Sequence, residues 1–378
     1  MKPLLKLKKP IINFFLQSRD FGGAEKFAHD LIIEFSKKDV YINFYTNNNY
    51  LLQNLNNKKN ITIKRIPVYL DFASNGRGFL KSLFLTPLAI LYFWKILSVI
   101  KKQKTKQVLF CSGFSEKIIL APLAKLFILP IYFIEYGPLE PLFTKLFGIP
   151  KILYYLVKNY ATKVIVPSKN TELSLKNTFK QEKMFLIPCG SPNPTIKKTK
   201  ERIKSKSIVV ISRLEKGKGQ DLLIKAFKLV QKQFTNSELS IIGQGNFKNR
   251  LIDLAQNDPK IKFLNYVRDK QLILEKSEVI VCPSVWPLEG FGLTIIEAMA
   301  LKKPIVAFDR APGNEMLRSN HNALLAKDGD INDLAQKIMQ LFSNPKLAQK
   351  LANNAKKDFQ NKYQISKIAE KYLTLLQN

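Results

Sequence analysis

The sequence contains few cysteines and histidines, and each scarcity excludes a class of site. Three cysteines, Cys111, Cys189 and Cys282, are scattered through 378 residues. They are too few for a disulfide framework and too widely spaced for a zinc site. The two histidines, His29 and His321, are also far apart, and no Asp-x-Asp pair follows a predicted strand. We therefore expect no metal, no cofactor and a reducing compartment.

Acidic residues are scarce too, since 29 Asp and Glu stand against 61 Lys and Arg, for a net charge of +32. The 46% hydrophobic content nevertheless indicates a packed globular protein. Lys, Asn, Ile and Phe are all heavily used, as AT-rich coding would produce, so part of the charge reflects composition. A nucleic-acid binder would carry a recognised binding motif or clustered aromatics on a basic face. The sequence shows neither, and we expect no nucleic-acid partner.

The hydrophobic runs are short or interrupted. The N-terminal run IINFFLQ lacks a small-residue cleavage site, so we expect no signal peptide and a cytoplasmic location. The longest run, LFLTPLAILYFWKILSVI, contains Pro87 and Lys95 and falls short of a persuasive membrane-spanning helix. A core helix or a helix on the membrane surface remain as its two interpretations.

Short β-branched or aromatic runs alternate with helical patterns along the chain. In the first half, strands such as YINFYT and QVLFCS alternate with helices predicted at 23–37, 79–102, 115–127 and 141–158. The alternation restarts at SIVVISR, with helices predicted at 219–234, near 246–256 and from about 292. This pattern is typical of α/β domains with parallel sheets.

The two alternating regions define the predicted domains. Between them, two prolines precede a basic run without apolar periodicity, which indicates a linker over residues 191–206. We therefore predict one α/β domain over residues 1–190 and another over residues 207–378. The last helix is a candidate to pack back on the first domain.

The segment PSVWPLEGFGLTIIEAMAL leaves a predicted strand and opens a helix, where parallel sheets bind ligands. The first helical amides attract anions, and Gly290 and Gly292 allow a close approach. Glu289 and Glu297 flank this point. Two carboxylates suit a ligand with an anionic middle and hydroxyl-bearing ends, such as a sugar nucleotide. Alternatively, one glutamate complements the helix dipole and the other is solvated.

This segment resembles the glutamate-bracketed signature of glycosyltransferase family 4, retaining enzymes with the GT-B fold. Three other segments match the family in order: FGGAEKFAHDL resembles its N-terminal glycine loop, VVISRLEKGKGQDLLIKAF its arginine–lysine donor motif, and LSIIGQGNFKNRL its next strand and glycine turn. The resemblance spans residues 12–340. It implies two Rossmann-like domains that face each other across a cleft, of which the first, residues 1–190, would bind the acceptor and the second, residues 207–378, the nucleotide sugar. It also implies a metal-independent, retaining enzyme with a nucleotide-sugar donor.

The resemblance also assigns roles to residues of the predicted site. Arg213 and Lys218 would bind the donor diphosphate and neutralise the charge on the leaving phosphate. Glu289 would hold hydroxyls of the transferred sugar, and Glu297 those of the ribose. The phosphates would bind amides near Phe291, Gly292 and Leu293. Gly22 and Gly23 resemble the family's diphosphate contact from the other domain, although alone they could make only a tight turn.

One departure from the family concerns the residue after the strand PIYFIEYG. Many relatives carry a histidine there, near the sugar and the acceptor, whereas this chain has Glu135 and Tyr136. Glu135 either replaces the histidine as a catalytic residue or pairs with a neighbouring lysine. The preferred sugar therefore stays open.

Two stretches without acidic residues, 72–115 and 141–171, carry lysines among apolar and aromatic residues. Such stretches suit an anionic membrane surface. We therefore expect a peripheral enzyme on the inner face of the membrane, with a lipid-linked or oligosaccharide acceptor used in bacterial surface polysaccharide or lipopolysaccharide synthesis. The alternative is a non-catalytic sugar-nucleotide or glycan-binding module of the same fold, which would not need the intact donor residues seen here.

Overall fold

The structure, a computed structural model, describes residues 9–56, 58, 60–73, 75–103, 105–194, 206–265 and 270–377. The chain divides into two compact units. The first unit comprises residues 1–189 and 365–378, and the second comprises residues 190–364. Residues 195–205 of the predicted linker lie outside the described residues.

The first unit is built on seven parallel strands: β1 (Ile11–Leu16), β2 (Tyr41–Thr46), β3 (Ile61–Arg65), β4 (Gln107–Cys111), β5 (Ile131–Ile134), β6 (Lys163–Val166) and β7 (Met184–Leu186). Their order in the sheet is β3-β2-β1-β4-β5-β6-β7. Strands β4 and β5 are buried along their whole length. This burial explains their nearly continuous apolar sequences, because helices cover both faces of such a sheet.

In the described part of the first unit, the α-helices that precede the second unit are α1 (Gly23–Ser36), α2 (Asn49–Asn54), α3 (Gly76–Lys102), α4 (Phe114–Leu126), α5 (Glu140–Phe143), α6 (Ile149–Val157) and α7 (Lys169–Leu175). The prediction of one continuous helix over 141–158 is wrong. The chain breaks between α5 and α6, where Leu146, Phe147 and Gly148 all have positive φ. Gly148 is the left-handed N-cap of α6 and Pro150 lies in its first turn, so both favour a new helix start.

The second unit has six parallel strands: β8 (Lys206–Ile211), β9 (Ser237–Ile242), β10 (Ile261–Leu264), β11 (Val279–Cys282), β12 (Ile305–Phe308) and β13 (Leu324–Ala326). Its helices are α8 (Gln220–Gln233), α9 (Lys248–Ala255), α10 (Lys270–Lys276), α11 (Leu293–Ala300), α12 (Gly313–Met316), α13 (Ile331–Ser343) and α14 (Pro345–Lys362). The strand order is β10-β9-β8-β11-β12-β13. The order reverses between β8 and β11, and the loops that leave these two strands therefore border a natural ligand crevice.

The final helix, α15 (Ile365–Gln377), belongs to the first unit. The Leu375 carbonyl accepts hydrogen bonds from the Tyr132 hydroxyl at 3.1 Å and from Lys163 Nζ at 2.9 Å. The Tyr372 ring packs against Phe27 and Phe110. The first unit therefore includes a helix that follows the entire second unit in the sequence.

Candidate functional site

Two loops meet at the switch point of the second sheet, one leading from β8 to α8 and the other from β11 to α11. The Val285 amide donates to the Gly217 carbonyl at 2.9 Å and joins them. Gly219 has φ +78, and a Cβ at this position would lie 1.8 Å from the Pro283 carbonyl oxygen. Only glycine permits this backbone approach. The close packing of the two loops brings their polar side chains together.

Lys218 and Glu289 form the centre of this site. Lys218 Nζ lies 2.6 Å from Glu289 Oε2, and Ser284 Oγ donates to the same oxygen at 3.0 Å. The Lys218 ammonium also lies 5.5 Å from the centre of the Trp286 ring. Because the Lys218 side chain is only 9% exposed, these contacts hold its charge in one place. The sequence motifs did not reveal the roles of Ser284 and Trp286, and we find no pattern that would have done so.

Arg213 lies in the same loop after β8 as Lys218, but its side chain has different surroundings. Its side chain is 65% exposed, and Nη1 lies 2.8 Å from Glu215 Oε1. Its carbonyl accepts a hydrogen bond from Gln220 Nε2 at 2.9 Å. The structure therefore brings Lys218 to Glu289 and leaves the Arg213 guanidinium accessible at the rim of the site.

The N-terminus of α11 supplies backbone donors beside the ion pair. Gly292, the N-cap, has φ +100, and no side chain caps the helix. Leu293 is the first helical residue, and Phe291 is buried with its ring 6.1 Å from that of Tyr363. Thr294 Oγ1 donates to the Ile211 carbonyl at 3.2 Å, which fixes α11 against the end of β8. The macrodipole and the first helical amides make this end attractive to an anion.

Glu297 lies further along α11 and is buried. Burial raises the pKa of the Cys282 thiol to about 12, and the nearby charges of Glu289 and Glu297 contribute to the same rise. Both carboxylates therefore contribute to the raised pKa of the same thiol at the end of β11. The structure thus brings Lys218 against Glu289 near the start of α11, the helix that carries Leu293 and Glu297, whereas the contact shown for the Arg213 side chain is with Glu215.

The other predicted residues lie in the first unit. Gly22 is the N-cap of α1, Gly23 is its first residue, and the Gly22 amide donates to Glu25 Oε2 at 2.8 Å. This amide is therefore already paired with a carboxylate. No sequence motif singled out Glu25, although a glutamate three residues after an N-cap is the usual sign of a capping box.

Glu135 lies at the end of β5 in a buried polar cluster. Its Oε1 contacts Lys117 Nζ at 2.6 Å and accepts from the Tyr154 hydroxyl at 2.5 Å. Lys117 also donates to the Ile134 carbonyl at 2.9 Å. Both members of the ion pair are almost completely buried. Of the two alternatives left open by the sequence, the structure shows the pairing with lysine.

Glu116 is another buried carboxyl of the first unit that no sequence motif singled out. It lies in the first turn of α4 and accepts a hydrogen bond from the Gln17 amide at 2.5 Å. Burial raises its pKa to about 7. Contrary to the sequence expectation, an Asp-x-Asp pair, Asp328 and Asp330, does follow a strand, β13. Asp328 Oδ2 lies 2.6 Å from Arg310 Nη1, and Asp330 is the N-cap of α13. Among the described residues, no group of three or more His, Cys, Asp or Glu is placed to hold a metal ion.

Sequence comparisons identify relatives of this chain. Residues 193–358 match the family model described as glycosyl transferases group 1. A poly(ribitol-phosphate) alpha-N-acetylglucosaminyltransferase of Staphylococcus aureus is 33% identical over 229 residues, which cover 58% of this chain and 45% of that protein. The N-acetylgalactosamine-N,N'-diacetylbacillosaminyl-diphospho-undecaprenol 4-alpha-N-acetylgalactosaminyltransferase of Campylobacter jejuni is 30% identical over 178 residues, which cover 45% of this chain and 47% of that protein. The chain spans about half the length of the curated relatives it matches.

Structural comparison covers nearly the whole chain. Anabaena Alr3699/HepE, solved with UDP and glucose, superposes with a TM-score of 0.79 at 19% identity, covering 97% of this chain and 99% of that one. TarM superposes with a TM-score of 0.76 at 18% identity, and the match covers 100% of both chains. Residues 193–358 thus match the glycosyl transferases group 1 family, and the chain as a whole has the two-domain GT-B fold of glycosyltransferases.

Proposed function

We propose that this chain is a retaining, metal-independent glycosyltransferase that moves a sugar from a nucleotide donor to a glycan or lipid-linked acceptor. The observation that carries the proposal is the Lys218–Glu289 contact beside the N-terminus of α11. A cation, a carboxylate that can accept from hydroxyls and the first amides of α11 lie close together at the switch point. A sugar diphosphate has the complementary order of groups.

The proposed mechanism follows from these charges. Lys218 and the amides of Gly292 and Leu293 bind the diphosphate, and Arg213 turns from the rim to meet its outer oxygens. Together they stabilise the negative charge that grows as the glycosidic bond breaks. In this mechanism Lys218 holds the phosphate that carries the sugar. Because the Lys218 ammonium also contacts Glu289, the Glu289 carboxylate lies close enough to accept hydrogen bonds from hydroxyls of that sugar. Glu297 accepts from the ribose hydroxyls.

The names of the relatives support the choice of donor and stereochemistry. The solved HepE structures contain UDP or UDP-glucose, and the two curated relatives are named for α-linked products. Common UDP-hexoses carry the sugar in the α configuration, so an α-linked product means retention. We therefore propose a UDP-sugar as the donor of this chain.

The same relatives support the choice of acceptor. One is named for a ribitol-phosphate polymer and the other for a diphospho-undecaprenol-linked glycan. We propose an acceptor of this kind, in bacterial surface polysaccharide or lipopolysaccharide synthesis, for an enzyme bound peripherally at the cytoplasmic face of the membrane. The non-catalytic alternative has less support, because Arg213, Lys218, Glu289 and Glu297 are all present and no observation suggests that the site is disabled.

Glu135 has no direct catalytic role in this proposal. Its carboxylate is buried and held by Lys117 and Tyr154. A general base must reach the proton that it removes. We assign Glu135 instead to the stability of the first unit, and the leaving phosphate takes the acceptor proton.

Donor binding and turnover test the proposal. Calorimetry with UDP-, GDP-, ADP- and dTDP-sugars should identify one preferred donor, and transfer should persist in excess EDTA. We expect Arg213→Ala and Lys218→Ala to lower turnover by ~10² or more in folded protein. The exposed Lys216 offers a matched control, since Lys216→Ala should leave turnover unchanged. Full turnover in both Ala variants, or activity that needs added Mg²⁺ or Mn²⁺, would contradict this mechanism.

A further inference from the structure

Helix α3 is apolar on two opposite faces, of which only one is covered. The inner row, which packs into the core of the first unit, consists of Ala89, Phe93, Leu97 and Ile100. The outer row is exposed to solvent and consists of Leu80, Leu83, Phe84, Leu88 and Leu91. Phe84 is 86% exposed. A helix with apolar residues all round is normally buried on every side, so the outer row requires an explanation.

By length and composition α3 could cross a membrane. Its packing argues otherwise, because the inner row contacts the same core as β4 and β5. To span a bilayer, α3 would have to leave that core and expose it to water. A helix held against its own sheet can still place its outer row at the surface of a bilayer.

Neighbouring segments continue the apolar surface. The Trp94 ring of α3 contacts the Phe127 ring just after α4, with centroids 4.9 Å apart, and the next residue, Ile128, is 81% exposed. In the break between α5 and α6, Phe147 is fully exposed and has φ +54. The crossovers from β3 to β4, β4 to β5 and β5 to β6 all run the same way along the sheet. Right-handed crossovers therefore put α3, α4 and α6 on one face of it.

The charges on α3 and on residues 141–171 have one sign, although Glu140 at the start of α5 is exposed. Residues 72–115 and 141–171 contain no Asp or Glu. The exposed basic residues on α3 and on the segment after α5 are Arg77, Lys81, Lys95, Lys101, Lys102, Lys145 and Lys151. Arg77 precedes the outer row by one helical turn, and Lys95 follows it by one turn. A row of apolar side chains with cations at both ends matches the boundary between acyl chains and anionic headgroups.

We propose that the outer row of α3, together with Ile128 and Phe147, docks the first unit on an anionic phospholipid bilayer, with α3 lying in the plane of the surface. The apolar side chains enter the headgroup boundary, and the basic residues contact lipid phosphates. This surface deepens the proposed function and rests on it in one respect, since a lipid-linked acceptor would lie in the same bilayer.

A second copy of the chain is the other candidate to cover this surface, and the charges disfavour it. In a symmetric dimer the same patch occurs on both sides of the interface. The basic ends of one α3 would then face the basic ends of the other, and like charges that meet across an interface destabilise it. A bilayer with anionic headgroups supplies the opposite charge.

Vesicle co-sedimentation of the full chain tests the apolar part of the proposal. Wild-type protein should bind vesicles of phosphatidylcholine with about a third phosphatidylglycerol, and bind pure phosphatidylcholine vesicles much more weakly. Phe84→Glu/Leu88→Glu should weaken binding to the anionic vesicles by about a hundredfold or more, because two apolar side chains that would enter the bilayer are replaced by charged ones. Both side chains are exposed, so the fold should be retained. The control Ile252→Glu changes an exposed apolar residue of the second unit and should bind as wild type.

A second pair of variants tests the electrostatic part. Lys81→Gln/Lys95→Gln should weaken binding by about tenfold or more and reduce its salt dependence, at roughly a few-fold per lysine. The control Lys346→Gln/Lys350→Gln removes two exposed lysines of the second unit and should have no effect.

A third variant tests the apolar residue in the break between α5 and α6. Phe147→Asn removes the exposed ring, and asparagine tolerates the positive φ of this position, so binding should weaken by about tenfold.

Several results would overturn the docking proposal. These are no binding of wild-type protein to anionic vesicles, equal binding to neutral ones, or wild-type binding by Phe84→Glu/Leu88→Glu. A wild-type dimer in sedimentation that this variant abolishes would show that a second copy covers the surface. UDP binding, measured by calorimetry on the same variant, should equal that of wild type. A variant that leaves the membrane but keeps UDP binding thus separates failure of docking from failure of the proposed donor site.

Discussion

Lys218 and Glu289 come from different loops of the second unit and meet in one ion pair, so a change in either residue alters the other. Glu289 takes part in this ion pair, whereas Glu297 lies further along α11. In the proposed mechanism Glu289 contacts only the sugar, and Glu297 contacts the ribose. Free UDP contains the ribose and lacks the sugar. Substitutions at the two positions should therefore affect UDP and the intact donor differently.

We expect Glu297→Gln to weaken both UDP and UDP-sugar binding by about tenfold to a hundredfold, since a charged hydrogen bond contributes ~1.5–3 kcal/mol. Glu289→Gln should slow transfer by a similar factor without weakening UDP binding, because it frees the Lys218 ammonium for the diphosphate. Calorimetry with UDP and initial rates with donor would measure both effects. Equal behaviour of the two variants in both assays would mean that the carboxylates do not bracket one ligand.

The buried pair of Lys117 and Glu135 leads to a prediction about stability. Lys117→Met leaves a buried carboxylate without its cation and should lower the free energy of unfolding by ~3–5 kcal/mol. Lys117→Met/Glu135→Gln should recover most of this loss, because the neutral amide no longer needs a cation and still accepts from Tyr154. Urea denaturation would measure both values. If Glu135→Gln instead keeps wild-type stability and loses turnover by ~10², Glu135 is catalytic.

For the second unit, the sequence predicted which strand ends carry the candidate site residues, but it did not predict the contacts between their side chains. Strand ends and glycine loops indicated that Arg213, Lys218 and Glu289 lie at one edge of a sheet. The motifs could not show that Lys218 contacts Glu289 while Arg213 contacts Glu215, since side-chain pairing depends on how two distant loops pack. The same limitation applies to Glu135, whose partner Lys117 lies on the preceding helix.

At the scale of elements, the spacing between the β8 and β11 loops depends on Gly219. A Cβ at this residue would meet the Pro283 carbonyl at 1.8 Å. Gly219→Ala should therefore separate the loops, lower the free energy of unfolding by at least ~2 kcal/mol and weaken UDP binding. Gly76→Ala is the matched control, because its Cβ would meet nothing within 4 Å at the start of α3. It should stabilise the protein by about 0.5 kcal/mol. Thermal unfolding and calorimetry would compare the two, and equal stability would exclude the loop contact.

Most elements followed the periodicity of the sequence, and the exceptions have physical causes. Strand β2 matches the run YINFYT from end to end. Edge strand β3 was missed because ITIKR is short and mostly polar or half-buried. The predicted helix over 141–158 runs through Gly148 and Pro150, although both residues favour the start of a helix. In α3, periodicity shows that both faces are apolar but cannot show which one meets the core.

At the scale of the whole molecule, the first unit depends on α15 from the far end of the chain. Ile368, Ala369 and Tyr372 are completely or almost completely buried in it. Deletion of residues 365–378 should expose the surface of α1, because each large apolar side chain of α15 contributes about 1.5–3 kcal/mol of burial. Hydrogen exchange should show lost protection in α1 and β1, with protection kept in β8 and β9. Unchanged exchange in α1 would show that the first unit is stable without α15.

The position of α15 also matters while the chain is being synthesised. A ribosome delivers β1 to β7 first, then the entire second unit, and only afterwards residues 365–377. Until then Phe27, Phe35 and Phe110 lack the Tyr372 ring that packs on them. The nascent first unit therefore presents an uncovered aromatic surface to chaperones for as long as translation of the second unit lasts. The second unit, whose strands and helices are contiguous in the chain, can finish folding before the first.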